Sequence, residues 1–169
     1  MDKNRTNLLN DLIDRAKKLG ADAADAVLFD SIALEHTHRL GRTEGITRAE
    51  SSDLGLRVLV GERQAMAAST DLSPDALDQL AAQAVAMAKN ALDDPWCGLA
   101  DPGALAKDIP DLDTLDAEEP TPEILQQRAA CAEDAARAIK GVTNSEGAEA
   151  GWSRTNVALS ASNGFSGAY

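Results

Sequence analysis

The segment LGLRVLVGERQAMAASTDLSPDALDQL, residues 54–80, specifies more of the fold than any other stretch of the chain. Leu56, Val58 and Val60 recur at every second position, which is typical of a strand with one buried face. Gly61-Glu62-Arg63 is short enough for a hairpin turn, and QAMAAST then has the character of a returning strand. The segment therefore predicts a β-hairpin that leads directly into a helix.

That helix is predicted by a strong start signal at Ser73, Pro74 and Asp75. The Ser73 hydroxyl can accept a backbone N–H, and proline loses no hydrogen bond at the first helical position. The Asp75 carboxylate faces the positive end of the helix dipole. Small apolar residues follow at helical spacing, which predicts a face that lies flat on a sheet; they are Leu77, Leu80, Ala81, Ala84, Ala88 and Ala91.

Two further helices are predicted, one on each side of this hairpin unit. Residues 6–19 carry apolar side chains at helical spacing, with Thr6 as the cap and Gly20 as a left-handed stop. Thr121-Pro122-Glu123 repeats the start signal and predicts a helix that ends at Gly141. The buried face of this last helix is predicted to consist of Leu125, Ala129, Ala132, Ala136 and Ile139.

Strand character precedes the hairpin. Residues 23–39 alternate, so that one face is predicted to carry Ile32, Leu34, His36, His38 and Leu40. GRTEG (41–45) predicts a turn and ITRAES (46–51) a second strand before the strand at 54–60. With short links between them, the strands predict an antiparallel meander.

The second half of the chain contains a long connection and a tail with strand character. Residues 93–120 are rich in Asp, Pro and Gly, and we expect four large apolar side chains to hold them in place: Trp96, Leu99, Leu105 and Leu112. In the tail, one short strand is predicted to end at Trp152 and another to cover 157–161. Asn163-Gly164 is a hairpin signal that predicts a returning strand, yet only five residues follow it.

The order of elements predicts an α+β fold. We expect an antiparallel sheet of about five or six strands with two or three helices, mainly on one face. Because the last hairpin has so little chain left, the interpretation is that residues 1–169 are the front piece of a longer polypeptide.

The amino-acid composition of the chain limits the kinds of partner that it can be expected to bind. The net charge of −12 opposes a nucleic-acid surface, which gains affinity from Lys and Arg. Cys97 and Cys131 fit no metal or redox spacing, which is typical of buried or idle thiols in a reducing compartment. The sequence has no apolar stretch long enough for a signal peptide or a membrane span, so no membrane partner and a cytoplasmic location are expected.

His36 and His38 are the candidate metal ligands, since both can point to one side of a strand with Asp30 or Glu35 as helpers. A structural zinc ion needs four protein ligands and a catalytic one needs three. The chain has no third His, and neither Cys is close in sequence. We therefore predict no metal, cofactor or catalytic residue in this segment and interpret both His as parts of a sheet face.

Two other groups of residues can be considered for chemistry. Ser69 and Thr70 lie outside any GxSxG elbow and suit turn and capping roles. The acidic run in the long connection lacks the spacing of an EF-hand calcium loop and is interpreted as solvated; it contains Asp108, Asp111, Asp113, Asp116, Glu118 and Glu119.

The stretch from 54 to 102 resembles the N-terminal domain of the TldD/PmbA family. The N-terminal helix, SSDLGLRVLVG (51–61), STDLSP (69–74) and ASNGFSGAY (161–169) occur in matching order over essentially the whole chain. DDPWCGLADP (93–102) is more similar to the PmbA (TldE) branch than to the TldD branch.

The resemblance implies that residues 1–169 are an N-terminal α+β domain and that the C-terminal β-rich domain of the family is absent from this sequence. It also implies that this domain is the non-catalytic part of one subunit in a two-subunit metalloprotease that handles unfolded peptides. It implies a TldD-type partner whose His-Glu-x-x-x-His helix carries the zinc; LEHTH (34–38) lacks that motif. The segment is therefore expected to be inactive alone and to contribute to assembly and to the shape of the peptide path. Because PmbA-type proteins are also labelled modulators of DNA gyrase, the alternative is a stand-alone binding module without protease activity.

Overall fold

The computed structural model describes residues 3–116 and 118–169. Its elements are α1 (Lys3–Lys18), β1 (Ala23–Arg39), β2 (Arg42–Val60), β3 (Arg63–Ser69), α2 (Pro74–Lys89), a 3-10 turn (Pro102–Ala104), α3 (Pro122–Arg137), β4 (Ala148–Ala161) and β5 (Ser166–Ala168). The five strands form one open antiparallel sheet in the order β3-β2-β1-β4-β5. The predicted α+β class is confirmed.

The turn between β1 and β2 is tighter than predicted. It consists of Leu40 and Gly41 with φ values of +49° and +75°, the pattern of a two-residue hairpin turn with both central residues left-handed. Strand β2 begins at Arg42, so the prediction of a turn at 41–45 was wrong. ITRAES and LGLRVLV are one continuous strand, and Leu40 is 48% exposed rather than part of the buried face.

The tail forms one long strand and one short strand. Strand β4 runs from Ala148 to Ala161 without the predicted break after Trp152. The hairpin at Asn163-Gly164 is confirmed, because β5 returns and pairs with Ala158–Ser160. A strand of three residues is enough to complete the turn.

The chain divides into two compact units, and the first comprises Met1–Asp30, Ser51–Pro110 and Asn156–Tyr169. In this unit α1 and α2 pack together, and α2 contacts β3. Both helices bury their apolar faces against alternate residues of β1 and β2, so they lie on one side of the sheet. The largest fully buried side chains of this core are Leu9, Leu12, Leu54, Leu56 and Val58.

The helix termini of the first unit follow local signals. The Ser73 Oγ accepts a hydrogen bond from the Ala76 N–H at 3.4 Å, as predicted for a cap. Gly20 takes the predicted left-handed conformation with φ +102°. The prediction of Thr6 as a cap was wrong, since α1 already begins at Lys3 and Thr6 lies in its first turns.

The second unit comprises Ser31–Glu50 and Asp111–Thr155. Helix α3 begins at the predicted cap, where Thr121 Oγ1 accepts from the Ile124 N–H at 3.4 Å. Its buried residues are Leu125, Ala129 and Glu133, which recur every four positions. The prediction for the rest of the face was wrong, because Ala132 and Ala136 lie off this line and Ile139 follows the end of the helix.

In the described part of the connection, residues 93–116 and 118–120, the longest element is the 3-10 turn at Pro102–Ala104. Trp96 is 92% exposed and Leu112 is 73% exposed, so their predicted role as apolar anchors was wrong. Leu99 and Leu105 are half-buried. Within the first unit, the connection is held by polar contacts such as the Asn163 side-chain amide, which donates to the Ala100 carbonyl at 2.8 Å.

Candidate functional site

His36 and His38 lie on β1 in the second unit, and both are buried. His36 is 1% exposed and His38 is 6% exposed. The two rings are stacked with centroids 6.3 Å apart and planes inclined by 26°. The predicted shared face of the strand is therefore confirmed, and it is an interior face rather than a partly exposed one.

Glu133 lies beside the two His and forms a cluster with them, and the sequence did not predict its position there. Its carboxylate accepts hydrogen bonds from the backbone N–H of Leu40 at 2.8 Å and of Gly41 at 3.2 Å. The Nε2 atom of His38 lies 4.0 Å from the same carboxylate. The spacing of Leu125, Ala129 and Glu133 is the one signal that could have placed the carboxylate on the buried face.

The hydrogen bonds to Glu133 shift the pKa of its carboxyl group. Donation from the Leu40 N–H lowers the pKa of the carboxyl group, while burial opposes this effect. The Ser145 side chain, the Gly41 N–H and the positive charge of Arg137 lower the pKa further. The carboxylate therefore stabilises the β1–β2 turn, and each of its two oxygens already accepts a backbone N–H.

The resemblance to the TldD/PmbA family implies a zinc ion in a TldD-type partner, and the His36–His38–Glu133 cluster of this chain does not fit one. Within residues 3–116 and 118–169, no three His, Cys, Asp or Glu side chains are grouped so that they could hold a metal ion. His36 Nε2 lies 3.4 Å from Thr43 Oγ1, and the Nδ1 atoms of both His make no hydrogen bond to the described residues. The cluster is instead a set of buried side chains in which Glu133 stabilises the β1–β2 turn.

The other candidates take part in local structure. Ser69 Oγ donates to the Asp71 carbonyl and accepts from the Asp71 N–H, both at 3.0 Å, so it stabilises a turn. The acidic run is exposed, and its Glu119 pairs with Arg48 at 2.8 Å. Cys97 and Cys131 are free thiols. Among the described residues, no helix has both the length and the apolar character to cross a bilayer.

The first unit has an open groove on the side of the sheet opposite α1 and α2. Its volume is about 480 Å³ and its lining is mostly apolar: Asp25, Val27, Gly55, Leu56, Arg57, Met66, Ala67, Ala68 and Leu159. Met66 is 72% exposed and Leu159 is 37% exposed. Exposed apolar side chains gathered in one concave surface are typical of a site that contacts another molecule.

An ion pair lies at the groove. Arg57 Nε is 3.2 Å from both carboxylate oxygens of Asp25, and its Nη2 also donates to this carboxylate. Hydrogen bonding to Asp25 raises the pKa of Arg57, and burial opposes the shift. Each charge is satisfied by the other, so an apolar partner would meet no unpaired charge.

Comparisons with known proteins agree with this fold. Residues 24–88 match the family model described as PmbA/TldA metallopeptidase domain 1. The chain is 33% identical over 144 residues to the metalloprotease PmbA of Escherichia coli O157:H7, covering 83% of this chain and 32% of that protein. It is 34% identical over 137 residues to a PmbA homologue of Haemophilus influenzae, covering 80% and 30%.

Solved structures share the fold. A Bacteroides thetaiotaomicron protein described as a modulator of DNA gyrase superposes with a TM-score of 0.83 at 23% identity, covering all of this chain and 39% of that one. TldE from Thermococcus kodakarensis gives a TM-score of 0.78 at 21% identity, covering 96% and 36%.

The fold and these matches agree. They place the chain in the class of PmbA/TldA metallopeptidase first domains. The chain belongs to the TldD/PmbA family, in its PmbA (TldE) branch. It spans about a third of the length of the curated relatives that it matches.

Proposed function

We propose that the chain acts as the N-terminal, non-catalytic domain of a PmbA/TldE-like subunit in a TldD/TldE-type metalloprotease complex. In this proposal the complex is cytoplasmic and processes or degrades unfolded peptides. The zinc ion belongs to the TldD-type partner, and the domain contributes to assembly and to the shape of the peptide path. Two relatives that carry the name metalloprotease PmbA support the proposal.

The observation that carries the proposal is the open groove of the first unit. Helices α1 and α2 bury one face of the sheet, whereas the other face leaves Met66 and Leu159 accessible. Domains bury their sheet faces against a second layer, and an apolar sheet face that remains open is available for contact with another protein. We therefore assign this face to contact with the TldD-type subunit.

The Arg57–Asp25 pair makes the groove suitable for such a contact. Both side chains are more than two-thirds buried, with 31% and 22% of their side-chain surface exposed. A partner that covers the groove therefore removes little further water from the two charges. Met and Arg are both enriched in protein interfaces, and Met66 and Arg57 both line this groove.

The candidate chemical groups support a non-catalytic role. The Glu133 carboxylate is engaged by two backbone N–H groups, and Ser69 Oγ is engaged by Asp71. A general base must reach a substrate proton, and a nucleophile must be paired with a base. These groups instead stabilise turns.

Gel filtration of the chain mixed with a TldD-type subunit tests the proposal. We expect co-elution, and competition by a full-length PmbA-type chain. Met66→Glu places a charge in the groove and should weaken the complex at least about tenfold. Met87→Glu is the matched control, since Met87 is 45% exposed on α2. Absence of a complex, or equal binding by both variants, would contradict the assignment.

The second candidate is a stand-alone module that acts on DNA gyrase. It is favoured by the description of the Bacteroides thetaiotaomicron neighbour as a gyrase modulator. The same mixing experiment separates the two candidates. A tight complex with purified gyrase, together with none with the TldD-type subunit, would replace the first proposal by the second.

A further inference from the structure

Trp96 is a large aromatic side chain that the first unit presents to solvent. The residue is 92% exposed, whereas the other tryptophan of the chain, Trp152, is half-buried. Tryptophan has a large apolar ring system, and its burial dominates the energetics of many interfaces. Trp96 therefore keeps nearly all of its apolar surface available for a contact.

The backbone that carries this side chain forms an ordered turn over residues 94–97. The Cys97 N–H donates to the Asp94 carbonyl oxygen at 3.1 Å, and Pro95 fixes the second position of the turn. The Asp94 carboxylate accepts a further hydrogen bond from the Trp96 N–H at 3.0 Å. These two bonds hold the backbone of Trp96 in one conformation.

Asp94 also attaches the turn to the β2–β3 hairpin. Its N–H donates to the Glu62 carbonyl oxygen at 2.6 Å, and its carboxylate accepts from the Gln64 side-chain amide at 3.3 Å. The indole is thus presented from a backbone that is bonded to the sheet. A residue on such a support loses less conformational entropy on binding than one on a free loop.

Gln64 joins the turn to the groove of the first unit. Its side-chain oxygen lies 3.5 Å from Nη1 of Arg57, which lines the groove. Side-chain contacts therefore run from the groove through Gln64 to Asp94. The turn borders the groove, and a partner that covers the groove is within reach of Trp96.

The surroundings of Trp96 indicate the kind of partner. A projecting indole needs a concave pocket, which a folded protein offers and an extended peptide does not. Glu62 is exposed, and the Asp93 side chain beside Arg63 is 76% exposed, so basic groups around such a pocket would be complementary. A second copy of this chain is disfavoured, because each copy has a net charge of −12.

We propose that Trp96 inserts its indole into an apolar pocket of the TldD-type subunit, and that Lys or Arg side chains border this pocket. Tryptophan is enriched among the residues that contribute most to binding energy. The inference rests on the proposed role in assembly. It adds to that role a specific residue of this chain and the chemistry of the surface that receives it.

Fluorine NMR tests the contact directly. The chain is produced with 5-fluorotryptophan, and Trp96→Phe and Trp152→Phe assign the resonances of its two tryptophans. Unlabelled TldD-type subunit is then added. We expect the Trp96 resonance to move and to lose its dependence on the ratio of H2O to D2O, because the label leaves solvent. The Trp152 resonance is the internal control and should change little.

Titration calorimetry with the TldD-type subunit measures the contribution of the indole. Trp96→Ala should weaken the complex at least about tenfold. Because Trp96 is 92% exposed, the urea midpoint of this variant should equal that of the parent.

Leu112→Ala is the matched control for Trp96→Ala. Leu112 is 73% exposed in the same connection. Among the residues that the structure describes, the backbone N–H and C=O groups of 111–113 bond only within this stretch. Leu112→Ala should therefore change the dissociation constant by less than about twofold.

Asp94→Ala tests the contribution of the ordered turn. It removes the acceptor of the Trp96 N–H and of the Gln64 amide and leaves the indole unchanged. We expect the affinity to fall about three- to tenfold, because binding must then order the turn. Asp94→Asn keeps an acceptor oxygen for the Trp96 N–H and should retain most of the affinity. Equal losses in the two variants would contradict this role of the turn.

Two results with an intact complex would overturn the proposal alone. They are equal binding by the parent and Trp96→Ala, and a Trp96 resonance that still responds to D2O. A dimer of this chain in sedimentation that Trp96→Ala abolishes would also overturn it, since the residue would then contact a second copy. If the parent forms no complex with the TldD-type subunit, the assembly role fails and this contact fails with it. Weaker binding by Trp96→Ala together with unchanged binding by Met66→Glu would support the contact and contradict the groove.

Discussion

The carboxylate of Glu133 accepts a hydrogen bond at 2.8 Å from the backbone N–H of Leu40, which lies 93 residues earlier in the chain. This contact joins α3 to the β1–β2 turn within the second unit. Leu40 has a φ of +49°, a conformation that residues with a side chain adopt at some cost. The ionised carboxylate stabilises this turn by satisfying N–H groups that point away from the ladder.

Replacement of Glu133 should destabilise the chain. Glu133→Gln keeps one acceptor oxygen but places an amide donor against either the Leu40 or the Gly41 N–H, so one buried donor loses its partner. We expect a lower midpoint in urea, followed by circular dichroism. Glu118→Gln is the control, because Glu118 is exposed. Equal urea midpoints for the two variants would contradict a stabilising role of the Glu133 carboxylate at the β1–β2 turn.

The same carboxylate predicts a pH dependence. Its pKa in the folded state lies below the ordinary value of 4.5, because the Leu40 N–H stabilises the charged form. The contribution to the free energy of unfolding is therefore complete above pH 4.5 and is lost as the pH falls through the lowered pKa. Urea titrations of the parent and Glu133→Gln from pH 7 to 3 should show their difference shrinking below about 4.5. A constant difference would contradict this account.

The contribution of the Thr121 cap of α3 to the free energy of unfolding should be measurable on its own. Thr121→Ala removes the acceptor for the Ile124 N–H and should cost about 1 kcal/mol of unfolding free energy. Thr70→Ala is the matched control, since Thr70 is exposed and lies outside the helices. Denaturant titration measures both variants. A loss as large in the control would show that the effect is not due to capping.

The core of the first unit predicts a larger effect. Leu56 is 1% exposed, and Leu56→Ala should reduce the free energy of unfolding by about 2–5 kcal/mol. Leu112→Ala removes the same atoms from a side chain that is 73% exposed and should change stability by less than about 0.5 kcal/mol. Similar losses in both variants, measured by urea titration, would contradict the assignment of the core.

Local signals made much of the fold predictable. Ser73 and Thr121 cap their helices through contacts three residues away, and the β2–β3 hairpin joins residues close in sequence. The sequence could not show that β2 continues through ITRAES, because that depends on a turn of only two residues at Leu40 and Gly41. Strand alternation weakens where both faces of a strand are exposed, as in the first half of β2.

The surroundings of the His pair were less predictable. Glu133 is polar, and its burial depends on two N–H groups that the fold brings from the β1–β2 turn. The exposure of Trp96 was missed for the opposite reason, since a large apolar side chain in a connection need not find a core. Both errors concern long-range packing.

A cleavage assay on the purified chain alone tests the central claim most directly. The chain is incubated with an unfolded polypeptide and zinc, and new N-termini are counted over time. The account predicts no cleavage above a protein-free control, and the same result for His36→Ala. Zinc-dependent cleavage by the parent chain that is lost in His36→Ala would contradict a non-catalytic domain.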